Sequence, residues 1–351
     1  MQRRLLRTAS SAHTHVPVLL REVVAALNPQ PGECFIDATF GAGGYTRAIL
    51  ESCNSCSVVA LDRDPAAIER AHALAPSFPG RLHPVRGRFG DLAALMHAQV
   101  PQHRTFHGAV LDIGLSSVQI AQADRGFSYL VDGPLDMRMG RDDDDTRLTA
   151  ATILNEAPEH VLADIIHAYG EDRLARKFAH AIVQARARAG PIRTTLQLRE
   201  VLDACVPRHR RLKGDDGVFR HPAQRTFQAL RIAVNDELNE LRKALHALEH
   251  LLSPSARLAV VTFHSLEDSI AKQFFDITAS RRTELGEPVR HGDGEAGLPS
   301  FVGRRKVVKP GRDEVEANPR ARSAKLRTAW RTENPPVYPL ELMLEEPYVA
   351  V

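Results

Sequence analysis

The sequence predicts an α/β fold: five parallel strands linked by crossover helices, a helical insert, and a C-terminal antiparallel hairpin. Three observations point there. Short β-type runs ending in small or acidic residues alternate with helical segments over the first third of the chain. The rhythm then stops after Gly114 and resumes only at Arg257–Phe263 (RLAVVTF). Between the two lie amphipathic segments punctuated by glycine and proline.

The predicted strands are Glu33–Ala38, Ser57–Leu61, Arg81–Arg86, Ala109–Ile113 and Arg257–Phe263. Asp64–Leu74 supplies a crossover helix, with Pro65 in its first turn, where the missing N–H costs little. In the insert, Ala157–Tyr169, Glu171–Ala189 and Thr194–Val206 read as helices stopped by Gly170, Gly190-Pro191 and Pro207. A single long helix is expected next, because Phe227, Leu230, Val234, Leu238, Leu241, Leu245, Leu248 and Leu252 are spaced by threes and fours. Ser253-Pro254 should end it, Leu266–Ile277 should form a further helix, and Arg304–Lys309 should pair with Lys325–Arg331 as the hairpin. The expected division is a flexible basic start at 1–14, a sheet-bearing domain from 15–114 and 223–335, an inserted helical domain at 115–222, and a tail at 336–351.

Composition narrows the class. The chain has 351 residues, 43% hydrophobic and 25% charged, which suits a large globular core. No apolar run approaches the length that spans a bilayer, and four cysteines are too few for a disulfide framework, so a cytoplasmic protein is expected. Cys53-Asn-Ser-Cys56 lacks further ligands at metal spacing, and Asp142–Asp145 reads as a solvated loop, so no metal site is expected. The net charge of +3 hides an uneven distribution: +9 over Arg173–Lys213, +7 over Phe301–Arg331 and −13 elsewhere. Two basic surfaces on an acidic body are a footprint for nucleic acid, although solvated helix faces also explain such clusters.

The densest motif is Asp37-Ala-Thr-Phe-Gly-Ala-Gly-Gly-Tyr-Thr46, where the first strand turns into the first crossover helix. Glycines there let the backbone approach a ligand closely. Asp62 closes the second strand, where a carboxylate can accept ribose hydroxyls. Thr46 stands where a dinucleotide fingerprint would place its third glycine, and Asp37 brings an acid to the loop, unfavourable for pyrophosphate. The ammonium and sulfonium of S-adenosylmethionine are cationic, so that methyl donor fits best. Asp112, Ser116 and Ser117 follow the fourth strand and should face the same crevice, unless they cap the next helix; Phe89 lies on the same edge and could pack on adenine. His264 follows the buried strand Arg257–Phe263, where Glu267 or Asp268 could orient its ring. Between the sheet edge and the insert, Gly126–Met139 reads as a lid, a base-stacking wall or an ordered interface loop.

His15–Leu20, the 37–46 loop, Leu61–Asp64, 111–119, Gly126–Met139, Arg225–Ile232, Phe263–Asp268 and Asn318–Lys325 together resemble the MraW/RsmH family. The resemblance runs from His15 to about Arg331. It implies a Rossmann-like class I methyltransferase fold, S-adenosylmethionine as cofactor, and methylation of a cytosine 4-amino group in 16S ribosomal RNA of the small subunit, near the decoding centre. Carried over by position, the family's cofactor contacts fall on Gly43, Gly44, Tyr45, Asp62, Phe89, Asp112 and Gln119. Many members have His where Tyr45 stands, which leaves backbone contact as the alternative to a side-chain role. The expected catalytic residues are Asp112, His264 and Ser117, with the group that accepts the amine hydrogen bond left open among Asp112, Ser116, Ser117 and His264. Another RNA, a protein or a small molecule as substrate, a non-catalytic ribosome assembly factor, and self-association into a homodimer remain open alternatives.

Overall fold

The structure, a computed structural model, describes residues 17–103, 105–141, 148–206, 221–280, 290–291, 295–296, 298–303 and 306–337. The expected start at 1–14, the aspartates 142–145 and nearly all of the tail lie outside those residues. Seven strands make one sheet: β1 Cys34–Asp37, β2 Ser57–Asp62, β3 Leu82–Arg86, β4 Phe106–Asp112, β5 Leu252–Thr262, β6 Phe301–Gly303 and β7 Lys325–Arg331. Their order is β3-β2-β1-β4-β5-β7-β6. The first five pair in parallel, and β7 runs antiparallel to both β5 and β6. This is the class I methyltransferase fold, and the chain order reverses between β1 and β4. In such sheets the crevice for ligand opens beyond the carboxyl ends of the strands at that point.

The central strands are buried on both faces, which is why Cys-Phe-Ile-Asp and Ala-Val-Leu read as unbroken apolar runs. One face carries α1 Leu20–Leu27 and α2 Gly44–Ser52, while α3 Pro65–Leu74 packs against β2 and β3. The opposite core takes in α4 Leu92–Gln99 and merges with the helices of the insert. Asp64 caps α3 by accepting the Ala66 N–H, and Pro65 stands at its first position.

Between β4 and β5 the chain forms α5 Ser117–Ala121, α6 Ala150–Glu156, α7 Glu159–Gly170, α8 Ala175–Ala189, α9 Thr195–Cys205, α10 Ala223–Asn235 and α11 Glu237–Leu251. The three expected insert helices are present with trimmed ends, and α6 is additional. Gly170 does not supply the turn that stops α7; Glu171 does, with φ 50°. Gly170 instead allows α10 to come close, since a Cβ there would lie 2.8 Å from the Arg225 carbonyl.

Two expectations about the second half need correction. The long helix is broken at Asp236, which takes a left-handed conformation (φ 51°) and separates α10 from α11. Aspartate tolerates that geometry, and the apolar spacing runs on across the break, so periodicity alone does not reveal it. The partner of β7 in the hairpin is β6; of the expected 304–309, residues 304 and 305 lie outside the described residues, and Val308 makes an isolated bridge to Leu326. Phe301 explains the choice, because its fully buried ring packs edge-on against Phe274 and Phe275 of α12 Ser265–Ser280, whereas the lysine- and arginine-rich stretch has little to bury.

Candidate functional site

The carboxyl ends of β1, β2 and β4 each deliver an aspartate to the crevice, and backbone geometry decides what each can do. Asp37 is fully buried and turned inward: Thr46 Oγ1 donates to one oxygen at 2.6 Å and the Thr39 N–H to the other at 3.2 Å. Burial raises its ionisation to about 6 against the pull of those donors. It braces the turn and is not one of the residues lining the cleft, so the expected direct role beside a cationic ligand is not where its side chain stands. Asp62 does line the cleft. Its oxygens accept the Gly41 N–H at 2.7 Å and the Asp64 N–H at 2.9 Å, and burial again lifts it to about 6.

Asp112 is different. Its backbone N–H is held by Thr39 Oγ1 at 2.7 Å, but its Oδ1 is buried without a hydrogen-bond partner among the described residues. Burial, followed by the charges of Asp37 and Glu267, pushes its ionisation well above the carboxylate range. A buried acceptor left unpaired costs stability unless a ligand satisfies it.

The glycine loop forms the wall beside these acids. Gly43 has φ 81°, and a Cβ there would strike the Phe40 ring at 2.6 Å; it sits behind Phe40 rather than in the lining. Gly44 is in the lining and starts α2 so close to Pro17 that a Cβ would lie 2.1 Å from its Cγ. Tyr45 lines the cleft too, but its buried hydroxyl donates to the Val18 carbonyl. Phe89, on the turn after β3, also lines the cleft. The Phe89 turn is fixed from α11, where buried Glu240 accepts the Gly90 N–H at 2.9 Å.

Past β4, Ser116 caps α5 in a reciprocal capping box: its hydroxyl accepts the Gln119 N–H while Gln119 Oε1 accepts the Ser116 N–H. Both serines line the cleft, but the Ser116 hydroxyl is engaged by the helix cap, whereas Ser117 stands at the first position of the helix. Gln119 lines the cleft with its amide already employed, since Nε2 donates to Asp64 at 3.0 Å. Buried Arg125 joins the same Asp64 oxygen at 3.1 Å and also donates to the carbonyls of Arg138 and Met139. That web anchors the strap 125–139 and places Met139 in the cleft wall, so Gly126–Met139 is an ordered loop at this face.

His264 is not brought into the lining; its neighbour Phe263 is. Both imidazole nitrogens face Glu267: Nδ1 accepts the Glu267 N–H at 3.4 Å and Nε2 lies 2.7 Å from Oε1. Glu267 also accepts the Phe263 N–H at 2.7 Å, and Arg231 stands 3.8 Å from it. Burial works against the Glu267 carboxylate, yet His264, Arg231 and the Phe263 N–H bring it below the usual value. Asp268 does not orient the histidine; it pairs with Lys325 at 2.6 Å and Arg327 at 2.8 Å, fastening α12 to β7.

The sequence profile of the MraW methylase family matches residues 12–332. The chain belongs to this family. Relatives named Ribosomal RNA small subunit methyltransferase H include one from Rhodospirillum centenum, 51% identical over 322 residues that cover 92% of this chain and 93% of the relative. Those from Methylobacterium nodulans and Paramagnetospirillum magneticum are 50% identical over 327 residues and 49% over 330, covering 93% of this chain each and 93% and 98% of the relatives. Among solved structures, an rRNA methylase from Streptococcus thermophilus overlays with a TM-score of 0.39 at 9% identity, covering 91% of this chain and 99% of that one, too distant to add to the family match.

In this member of the MraW methylase family the cleft also recruits Pro17, Arg63, Asn318 and Arg320, none of which sequence reasoning singled out as site residues. Arg63 follows Asp62 directly and donates to the Asn235 carbonyl at 3.2 Å. Asn318 and Arg320 come from some 200 residues beyond β4, and only the tertiary fold returns them to the glycine loop. No trio of His, Cys, Asp or Glu among the described residues is arranged to hold a metal ion, and no described helix is long and apolar enough to cross a membrane.

Proposed function

We propose that this chain transfers a methyl group from S-adenosylmethionine to the 4-amino group of a cytidine in 16S ribosomal RNA, acting in the cytoplasm on the small subunit. The observation that carries the reading is the Asp112 carboxyl at the switch point of the sheet, with a buried oxygen that has no partner among the described residues. The lining fits the cofactor: Asp62 offers acceptors to a ribose, Phe89 a flat apolar face to a purine, and Asp112 a negative charge to a cation. Gly44, Tyr45 and Gln119 shape the walls between them, with Gly43 permitting the turn behind. The ribosomal substrate follows from the names that the close relatives carry.

Bound there, the cofactor supplies a methyl group activated by its sulfonium. The chain must do the rest for a poor nucleophile, because the cytosine amine shares its lone pair with the ring. Asp112, ionised once the cofactor's positive charge lies beside it, accepts a hydrogen bond from that amine, so the lone pair localises on nitrogen as transfer proceeds, and it receives the proton that the methylated nitrogen sheds. Ser117 contributes a second acceptor at the start of α5. Phe263 and Met139 exclude water and hold the base in line. His264 acts as a positioning residue: through Glu267 it sets the Phe263 N–H and hence that wall. His264→Ala should slow methylation roughly tenfold, and His264→Asn, which keeps a donor toward Glu267, should recover part of the loss. Cofactor affinity should stay unchanged; wild-type turnover in His264→Ala would remove the residue from the mechanism.

The inserted unit at 115–222 would carry the RNA. α8 bears Arg176, Lys177, Arg186 and Arg188 and no acid, and Arg176, Lys177 and Arg188 are exposed. Phosphate contacts from this helix and from the basic C-terminal segment predict binding that weakens steeply with salt. The deciding experiment maps ribosomal RNA by mass spectrometry from cells with and without the gene. Loss of one methylcytidine, restored by the wild-type gene, is expected. An unchanged methylcytidine profile would overturn the assignment.

A further inference from the structure

Arg320 is the cation of the cleft lining whose guanidinium has no hydrogen-bond or ion-pair partner among the described residues. The other lining arginine, Arg63, is buried and committed to the Asn235 carbonyl. Arg320 is exposed, yet its backbone is fixed: Asn318 Oδ1 accepts the Arg320 N–H at 3.2 Å, Pro319 sets the first turn, and Ala321 behind it is fully buried.

Three contacts place this segment at one end of the cleft. The Leu19 N–H donates to Glu314 at 2.6 Å, tying the short helix Arg312–Ala317 to the Pro17–Leu19 segment. Tyr45 bonds the Val18 carbonyl, and Pro17 fills the space beside Gly44. Asn318 and Arg320 therefore close the cleft on the side of Pro17 and Tyr45, at the start of α2, whereas Asp62, Arg63 and Phe89 reach it from the ends of β2 and β3.

The glycine-loop end is rich in negative charge. Burial raises the Tyr45 hydroxyl well above its usual value, and the carboxylates of Asp112, Asp37 and Glu314 raise it further. Such surroundings favour an ammonium and a sulfonium but repel a carboxylate. A ligand that ends in an amino acid carries both charges, so this end needs a cation that the protein has not already neutralised.

We propose that Arg320 is the specificity residue for the amino-acid carboxylate of the methyl donor, binding it through its guanidinium while the acids around Tyr45 receive the adjacent positive charges. The assignment rests on the methyl-donor reading above. An arginine fork matches a carboxylate in geometry, and charge-assisted bonds of this kind are among the stronger ones in proteins.

The test is calorimetric and needs no RNA and no turnover. Wild type and Arg320→Gln are titrated with S-adenosylmethionine and with its decarboxylated analogue, which keeps the ammonium, sulfonium and nucleoside. Arg320→Gln should weaken S-adenosylmethionine about 10- to 100-fold, as expected for one charged hydrogen-bonded contact, and leave the decarboxylated analogue within about twofold. Arg320→Lys should fall between. Because the side chain is exposed, the melting temperature should not move. Equal losses for both ligands would overturn the proposal in favour of a structural role. Unchanged binding of both, with a raised KM for ribosomal subunits, would overturn it in favour of an RNA phosphate contact. If wild type binds neither ligand, the methyl-donor reading itself fails, a result separable from a failure of Arg320 alone.

Discussion

Two groups of acids stand along the carboxyl edge of the sheet, and the protein treats them in opposite ways. At the ends of β1, β2 and β4, burial lifts Asp37 and Asp62 to about 6 and Asp112 further still. Just beyond β5, in the first turn of α12, Glu267 and Asp268 are held below the usual carboxylate values by His264, Arg231, Lys325 and Arg327. The second group has its counter-charges built in, so it is structural whether or not anything is bound. Within the first, among the described residues, Asp37 and Asp62 have N–H and hydroxyl donors but no cation bonded to them, and Asp112 lacks even a donor for one oxygen. Asp37 is turned inward and braces the glycine turn, whereas Asp62 and above all Asp112 line the cleft and are poised for a positively charged ligand.

The largest expected effect breaks this contrast at Asp112. Asp112→Asn should lower the methylation rate at least 100-fold, the scale on which removal of one transition-state contact acts. It should not reduce stability, because the amide replaces a buried carboxyl that has an unpaired oxygen and two like charges nearby. Rate and melting temperature measured on the same preparation separate the two effects. A variant that retains activity would show the acceptor to be elsewhere, with Ser117 the next residue to test.

How much of this was legible in the sequence follows from the same physics. Parallel strands buried on both faces write themselves as apolar runs, and their ends at Asp37, Asp62 and Asp112 put the acids at the crevice, so the five strands and Asp62, Phe89, Asp112 and Ser117 could be placed at the cleft. The break at Asp236 was hidden because a left-handed residue shifts the helix axis without disturbing the spacing of apolar side chains. The ring of His264 was hidden for another reason: from sequence Glu267 and Asp268 were equal candidates, and only packing shows that Asp268 is taken by Lys325 and Arg327. Arg320 stood in a basic stretch and in the Asn318–Lys325 motif, but neither pointed to the cleft, because nothing local says that this segment returns to the first glycine loop.

A smaller effect, on stability rather than chemistry, should appear on the other side of the comparison. Asp268→Ala leaves Lys325 and Arg327 without their shared carboxylate and should cost about 2 kcal/mol, the scale of charged hydrogen bonds. The pH dependence fixes the mechanism. Because folding depresses the ionisation of Asp268, its contribution is complete above the unfolded carboxylate value of about 3.9 and disappears as pH falls through the lower folded value. Denaturant midpoints of wild type and variant should therefore differ at pH 7 and converge in acid, once the pH has fallen below the depressed folded value. A difference that persists in acid would mean that the loss comes from packing instead of the ion pairs.

The smallest effect concerns Tyr45, which lies between the two treatments: a cleft residue whose polar atom is already satisfied by the protein. Its hydroxyl donates to the Val18 carbonyl and so ties the N-terminal segment to α2, leaving the backbone and ring edge as what the cleft receives. Tyr45→Phe removes that one bond and should cost about 1 kcal/mol of stability. Affinity for S-adenosylmethionine should change by less than about twofold, because the ring remains and the backbone at the start of α2 is unaltered. Tyr45→His should bind the cofactor as well as wild type does. A tenfold loss of affinity in Tyr45→Phe at unchanged stability would instead assign the hydroxyl to the ligand, and would require the Val18 bond to be exchanged for one to the cofactor on binding.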